Sequence, residues 1–107
     1  MTTFDDRERG LEGKFAHEQE LEFKALSRRN RLLGLWAAGL MGLEDPHLEN
    51  YAGAVVRYEI AHPGEEAILR KVAQDLVGAG LKISEDQVRG KMDELLAIAR
   101  GQIQSEG

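Results

Sequence analysis

The chain has 107 residues, no cysteine and a formal net charge of −5, because 19 Asp and Glu residues outnumber 14 Lys and Arg residues. This length fits one small domain. The absence of cysteine excludes a disulfide-linked scaffold, thiol catalysis and the usual zinc sites. The acidic balance argues against nonspecific binding of nucleic acid, because attraction to phosphates requires a basic surface. A composition of 42% hydrophobic and 31% charged residues is that of a globular protein.

The sequence contains no segment typical of export or of membrane insertion. The opening residues lack a basic region followed by an apolar stretch, which argues against a secretory signal. The longest uncharged run covers the 12 residues from Leu32 to Leu43, whereas a membrane span needs roughly 20. We therefore interpret this run as a buried helix and expect a cytoplasmic protein without direct membrane insertion.

Prolines and glycines divide the chain into four predicted helices. The first runs from about Phe4 to Met41, with or without an internal break. The second begins with Asp45 as its N-cap and Pro46 in its first turn. Apolar residues of the second helix recur at helical spacing and predict its buried face. They are Leu48, Ala52, Val55, Val56 and Ile60.

The third and fourth helices have clear starting signals. The third begins near Pro63–Gly64, and Glu65–Glu66 lie in its first turn, where the helix dipole favours negative charge. The fourth begins with a capping box, in which the Ser84 hydroxyl accepts from the Gln87 amide and the Gln87 side chain reaches back. The predicted buried faces contain Ile68, Leu69, Val72, Ala73, Leu76 and Val77, then Val88, Met92, Leu95, Leu96, Ala99 and Ile103. Short connections predict antiparallel neighbours, so we expect an all-α fold, a small four-helix bundle.

The N-terminal segment does not look like a bundle helix. Nine of its first 20 residues are charged, and Phe4, Leu11 and Phe15 lie on one face at spacings of seven and four. This stripe is too sparse to hold the segment on a core, and Gly10 and Gly13 each cost about 1 kcal/mol relative to alanine. We therefore predict a flexible or partly helical arm, residues 1–19, and a bundle, residues 20–107. Such an arm can fold into a groove on a partner, although many termini have no such task.

A basic cluster follows the arm and precedes the only tryptophan. Arg28, Arg29 and Arg31 carry guanidinium groups that suit phosphate or carboxylate, and they precede Trp36. One interpretation is an anion or nucleotide-phosphate site near Trp36. The other is a solvated helix face on which the arginines pair with nearby acids, while Trp36 packs in the core. Examples of such acids are Glu20, Glu22 and Glu44.

Patterns of catalysis and metal binding are incomplete. His17 and Glu18 begin a zinc-protease motif, but Leu21 stands where the second histidine is required. The three histidines are scattered, and Gly78–Gly80 completes neither a dinucleotide fingerprint nor a phosphate-binding loop. No nucleophile has an identifiable base. We therefore expect no metal site and no enzymatic activity.

Five short segments form a distinctive combination along the chain. They are Thr3–Glu8 (TFDDRE), Lys14–Ala16 (KFA), Arg28–Asn30 (RRN), Leu32–Ala38 (LLGLWAA) and Arg70–Ala73 (RKVA). Together they resemble the zeta subunit of alphaproteobacterial F-type ATP synthases, and the resemblance extends over essentially the whole chain.

This resemblance implies a four-helix-bundle protein that inhibits ATP hydrolysis by inserting its N-terminal segment into a catalytic interface of the synthase head. The inhibitory segment would then contain Phe4, Asp5, Asp6, Arg7, Glu8, Lys14 and Phe15, and the apolar stripe adds Leu11. The protein would be a monomer when free, would need no cofactor, and would lie at the inner membrane through the synthase. Family members are also linked to adenine nucleotides, so the alternative function is a soluble sensor that binds ADP or ATP through Arg28, Arg29, Arg31 and Trp36. A small enzyme is the least supported alternative.

Overall fold

The computed structural model describes the backbone of residues 3–106 and the side chains of residues 13–106. This part of the chain contains four α-helices and no strand. The helices are α1 (Thr3–Leu40), α2 (His47–Ala61), α3 (Glu65–Gly78) and α4 (Glu85–Glu106). The predicted all-α, four-helix fold is confirmed.

Helix α1 is the axis of the fold. It continues through 38 residues without a break, a length of about 57 Å at 1.5 Å per residue. Helices α2 and α4 pack along it. Helix α4 is antiparallel to α1. Lys91, near the start of α4, lies close to Trp36, near the end of α1, whereas Ile103, near the end of α4, packs with Leu21 of α1.

The core is made by the apolar faces of all four helices. Helix α1 contributes Leu33 and Ala37, and a smaller cluster at the other end joins Ala25 to Ala99 and Ile103. The remaining buried members of the main cluster come from α2, α3 and α4. They are Val55, Ile68, Leu69, Val72, Ala73, Leu76, Val88, Met92 and Leu95. Burial of each large aliphatic side chain contributes about 1.5–3 kcal/mol. The part of α1 that contains Leu33 and Ala37 is therefore firmly held by the main cluster.

Local signals place four helix boundaries, which are the starts of α3 and α4 and the ends of α1 and α3. The capping box of α4 is confirmed, because the Ser84 amide donates to Gln87 Oε1 at 2.9 Å and the Gln87 amide donates to Ser84 Oγ at 3.1 Å. Gly42 and Gly80 follow α1 and α3 with φ of 76° and 87°, the left-handed conformation that favours glycine after a helix. Helix α3 begins at Glu65, as predicted.

The predicted start of α2 is wrong. Pro46 rather than Asp45 occupies the N-cap position, and no side chain caps the helix. The amide of Leu48 donates instead to the carbonyl of Glu44 at 3.1 Å. The backbone of the preceding turn therefore satisfies a donor for which a side-chain cap was predicted.

Ile60 and Val77, which were predicted to lie on buried helix faces, are mainly exposed, and so is Phe23 of α1. The exposed fraction is 73% for Phe23, 78% for Ile60 and 58% for Val77. Ile60 lies about 140° around α2 from the buried Val55, and Val77 lies about 100° around α3 from the buried Leu76. These positions therefore turn away from the core, although they belong to apolar runs.

Candidate functional site

The exposed start of α1, residues 13–20, extends beyond the core. Every side chain from residue 13 to residue 20 is exposed, and Phe15 is 62% exposed. Partial burial begins at Leu21 and Glu22. The structure therefore presents Lys14 and Phe15 on a solvated helix surface. The other predicted arm residues lie outside the residues whose side chains are described; these are Phe4, Asp5, Asp6, Arg7, Glu8 and Leu11.

Two arginine–carboxylate pairs join α1 to α4 just after this exposed start. Arg100 donates to both oxygens of Glu22, at 2.6 and 3.1 Å, and its hydrogen bonds hold the pKa of Glu22 below its usual value. Arg28 donates to both oxygens of Glu106, which likewise lowers the pKa of Glu106. Bidentate geometry fixes relative orientation, so these pairs align the end of α4 with α1.

The three arginines of the basic cluster point to three different helices. Arg28 pairs with Glu106 on α4, Arg29 pairs with Glu65 on α3 at 3.1 Å, and Arg31 pairs with Glu49 on α2 at 2.8 Å. Successive positions on a helix are 100° apart, so neighbours in sequence face different partners. All three arginines pair with acids, as the second interpretation expects, but the acids are not Glu20, Glu22 or Glu44, which that interpretation gave as examples.

Arg29 also departs from the prediction of a solvated helix face. Its side chain is 2% exposed, and its Nε donates to Asn30 Oδ1 at 3.0 Å. Trp36 is partly buried and packs against the main core, with the Lys91 ammonium 5.8 Å from its ring centroid. The four residues of the predicted nucleotide site are thus not brought together, since Arg29 faces α3 and Trp36 faces the core.

Arg28 and Arg31 do share an open groove between α1, α2 and α4, with a volume of about 710 Å³. Lys24 and Arg57 also line this basic groove, and Glu106 is its one lining carboxylate. Lys24, Arg28 and Arg31 are each paired with a carboxylate, of Glu20, Glu106 and Glu49 respectively, and Arg57 is the lining cation without an ion pair within residues 13–106. Lys24 could have been recognised one turn before Arg28, but Arg57 lies on another helix and is brought here only by packing.

Two further properties of the described residues bear on function. No group of three His, Asp or Glu side chains within residues 13–106 is placed to hold a metal ion. None of the four described helices is long and apolar enough to span a bilayer.

Comparisons with known proteins support one family. No curated protein matches the chain by sequence. Three solved chains resemble it in structure. One of them, determined by NMR in solution, has a TM-score of 0.69 and 38% sequence identity, and the alignment covers 81% of this chain and 99% of that chain. The family described as ATPase inhibitor subunit zeta matches residues 1–102. From this match over nearly its whole length, the chain belongs to the ATPase inhibitor subunit zeta family.

Proposed function

We propose that this protein inhibits ATP hydrolysis by F-type ATP synthase by inserting its arm into a catalytic interface of the synthase head. The observation that carries the proposal is the exposed start of α1, on which Phe15 is 62% exposed. Exposed aromatic side chains are typical anchors at protein interfaces. A helix that presents one beyond its own core is suited to binding a cleft on another protein.

The helical period of α1 supports binding of a partner through Phe15. Phe15 and Leu33 are 18 residues apart, which is five turns of 3.6 residues, so they lie on the same face of the helix. Leu33 is fully buried in the core, whereas Phe15 is exposed. The apolar face of α1 therefore continues past the bundle to Phe15, and the spacing of Phe4 and Leu11 in the sequence predicts that they extend it. A partner cleft would cover this face.

Inhibition follows if the cleft changes shape during turnover. A catalytic interface that must open and close has at least two states, and a wedge that binds one state better shifts the population towards it. The charged residues around Phe15 set register and selectivity. The bundle stays outside as the body that carries the wedge. In this proposal the protein is a monomer when free and lies at the inner membrane through the synthase.

Replacing Phe15 with serine should weaken inhibition without unfolding the protein. Loss of a buried phenylalanine at the interface removes about 1.5–3 kcal/mol, which corresponds to roughly a ten- to hundredfold rise in the half-inhibitory concentration. The measurement is the ATPase rate of the purified synthase head against inhibitor concentration. Val77→Ser is a matched control, because Val77 is similarly exposed on α3. Equal inhibition by the wild type and Phe15→Ser would refute the proposed role of the arm.

A second candidate function, binding of ADP or ATP as a regulatory ligand, is favoured by the basic groove. Its volume of about 710 Å³ lies within the range of about 300–1,000 Å³ that is common for small-molecule sites. Lys24, Arg28, Arg31 and Arg57 provide donors for phosphate oxygens. This candidate retains Arg28 and Arg31 of the predicted site and replaces Arg29 and Trp36 by the other two cations.

Titration with ATP should therefore perturb amide resonances around residues 24, 28, 31 and 57 and leave those around Trp36 unchanged. The phosphates would bind the cationic side chains directly and so change the chemical environment of the nearby amides. ADP should act at the same residues more weakly, because it carries less negative charge. Spectra that stay the same at millimolar nucleotide would rule out this second function.

A further inference from the structure

A small cavity lies where α1 meets α2, between two exposed apolar side chains. Phe23 is 73% exposed and Ile60 is 78% exposed, and with Leu26 and Val56 they line a cavity of about 110 Å³, called the Phe23 cavity. Exposed apolar residues that cluster rather than scatter are typical of interaction sites. Common small-molecule sites have volumes of about 300–1,000 Å³, so a cavity of this size suits a single side chain.

One carboxylate lines the Phe23 cavity without a cationic partner. Glu59 is the one charged residue among the seven that line it. Its Oε1 accepts from the Gly64 amide at 3.3 Å, whereas its Oε2 is buried and has no hydrogen-bond partner within residues 13–106. No ion pair in that part of the chain includes Glu59. A buried oxygen without a donor is costly, so a donor supplied by a partner would be favourable here.

The nearest cations are directed to other groups. Arg29 donates to Asn30, which also lines the Phe23 cavity, but its guanidinium pairs with Glu65. Arg57 lies about 200° around α2 from Glu59 and lines the basic groove instead. The Phe23 cavity therefore combines apolar walls with one negative charge. Such a site is complementary to a cation that is carried on an apolar stem.

We infer that the Phe23 cavity receives a lysine side chain from a basic segment of the ATP synthase head. This inference rests on the proposed function and adds a second contact to it. The aliphatic stem of the lysine packs between Phe23 and Ile60, and its ammonium donates to Glu59. The terminal torsion of a glutamate is broad, so a small rotation of the carboxylate turns Oε2 towards the ammonium.

The geometry of Glu59 favours lysine over arginine. An arginine fork binds a carboxylate best through two oxygens, whereas a lysine ammonium acts as a point charge. One oxygen of Glu59 already accepts from the Gly64 amide, which leaves Oε2 for a single donor. The net charge of −5 also favours encounter with a basic surface on the partner.

The position of the Phe23 cavity fits a partner that also holds the arm. Leu26 lines the cavity and follows Phe15 by 11 residues, which is about 20° around α1 and roughly 16.5 Å along its axis. A protein that encloses the exposed start of α1 would reach the cavity without a change in the course of α1. Two linked contacts reinforce each other, because the first raises the effective concentration of the second. The lysine contact thus anchors the bundle while the arm blocks turnover.

Substitutions of Glu59 in the full chain test the charge of the occupant. Glu59→Gln should weaken binding to the purified synthase head by about tenfold at low salt and less at high salt. Glu59→Lys should weaken binding further, because attraction becomes repulsion. Glu59→Gln should not lower the free energy of unfolding, since it removes a desolvated charge, and this separates a role in binding from a structural one.

Two further comparisons complete the experiment. Glu44→Gln is the matched control for charge, because Glu44 is exposed and the change in net charge is the same. Phe23→Ser combined with Ile60→Ser should weaken binding by about tenfold or more, since it removes the walls that cover the lysine stem. Its control is Val77→Ser with Ile98→Ser, which removes exposed apolar groups elsewhere. Both controls should bind within about twofold of the wild type.

The outcomes separate this inference from the proposed function. Glu59 variants that bind more weakly, yet inhibit fully at saturation, support an anchor distinct from the arm. If Glu59→Gln binds like Glu44→Gln, or if Glu59→Lys binds more tightly than the wild type, no lysine occupies the cavity, whatever Phe15→Ser does to inhibition. If Glu59→Gln changes only self-association in sedimentation equilibrium, the occupant is a second copy and the inference is overturned. If Phe15→Ser inhibits like the wild type while the Glu59 variants lose affinity, the proposed role of the arm fails but the lysine contact stands.

Discussion

Replacing Gly34 with alanine should lower the free energy of unfolding by about 2 kcal/mol, although alanine is the better helix former. A Cβ at this position would lie 2.7 Å from the Cα of Ala52 and 3.3 Å from the side chains of Ala52 and Val55. The nearest atom belongs to the backbone of α2, so α1 and α2 would have to move apart. Overpacking costs typically 1–3 kcal/mol, and a backbone clash falls at the upper end. The higher helix propensity of alanine offsets about 1 kcal/mol of this cost, so the expected net loss in the free energy of unfolding is about 2 kcal/mol.

The same substitution at Gly90 provides the control. Gly90 lies inside α4, and nothing is within 4 Å of the position its Cβ would take. Gly90→Ala should therefore raise the free energy of unfolding by up to about 1 kcal/mol. Urea unfolding of both variants measures the difference, which is a large part of the roughly 5–15 kcal/mol that stabilises a typical domain. If Gly34→Ala were as stable as Gly90→Ala, the close approach of α1 to α2 would be disproved.

Replacing Glu65 with alanine should lower the free energy of unfolding by about 2–3 kcal/mol, because it leaves a buried cation without its carboxylate. Arg29 is 2% exposed and its Nη1 donates to Glu65 at 3.1 Å. After the change its remaining described acceptor is the side-chain oxygen of Asn30. A methionine at position 29 removes the charge and keeps much of the side-chain volume. Adding Arg29→Met to the Glu65→Ala variant should therefore restore most of the free energy of unfolding that Glu65→Ala loses.

Glu66 is the matched control for this ion pair. It lies in the same first turn of α3, so its removal causes a similar loss of favourable interaction with the helix dipole. Its partner Arg89 is exposed, however, and the two groups remain hydrated. Glu66→Ala should consequently destabilise the protein much less than Glu65→Ala in thermal or urea unfolding. Equal losses would show that burial of Arg29 contributes nothing.

The pH dependence gives an independent test of the Glu66 pair. The hydrogen bond from Arg89 lowers the pKa of Glu66 from its ordinary value of 4.5. A lowered pKa means that the folded state binds the proton less readily than the unfolded state does. The contribution of the pair is therefore present above pH 4.5 and is lost as the pH falls through the folded-state pKa. The difference in the free energy of unfolding between the wild type and Glu66→Ala should shrink as the pH falls from 4.5 through the folded-state pKa of Glu66.

Helix number, order and most helix limits were predictable because their signals are local. The reciprocal bonds of Ser84 and Gln87 require only four consecutive residues, and Gly42 and Gly80 act on the turns that follow their own helices. Asp45 was misassigned as a cap because the backbone of the preceding turn satisfies the Leu48 amide instead. The boundary between the arm and the bundle at residues 19 and 20 stays a prediction.

The sequence by itself determined the four helices, the sparse apolar stripe of the arm and, through its motifs, the resemblance to the zeta family. Only the tertiary structure decided that Arg29 is buried while Arg28 and Arg31 line a groove, and that Arg57 joins them from another helix. The physical reason is that helical periodicity sets angles around one helix but not which neighbour lies at each angle. That choice depends on how all four helices pack, and it also leaves Phe23 and Ile60 exposed.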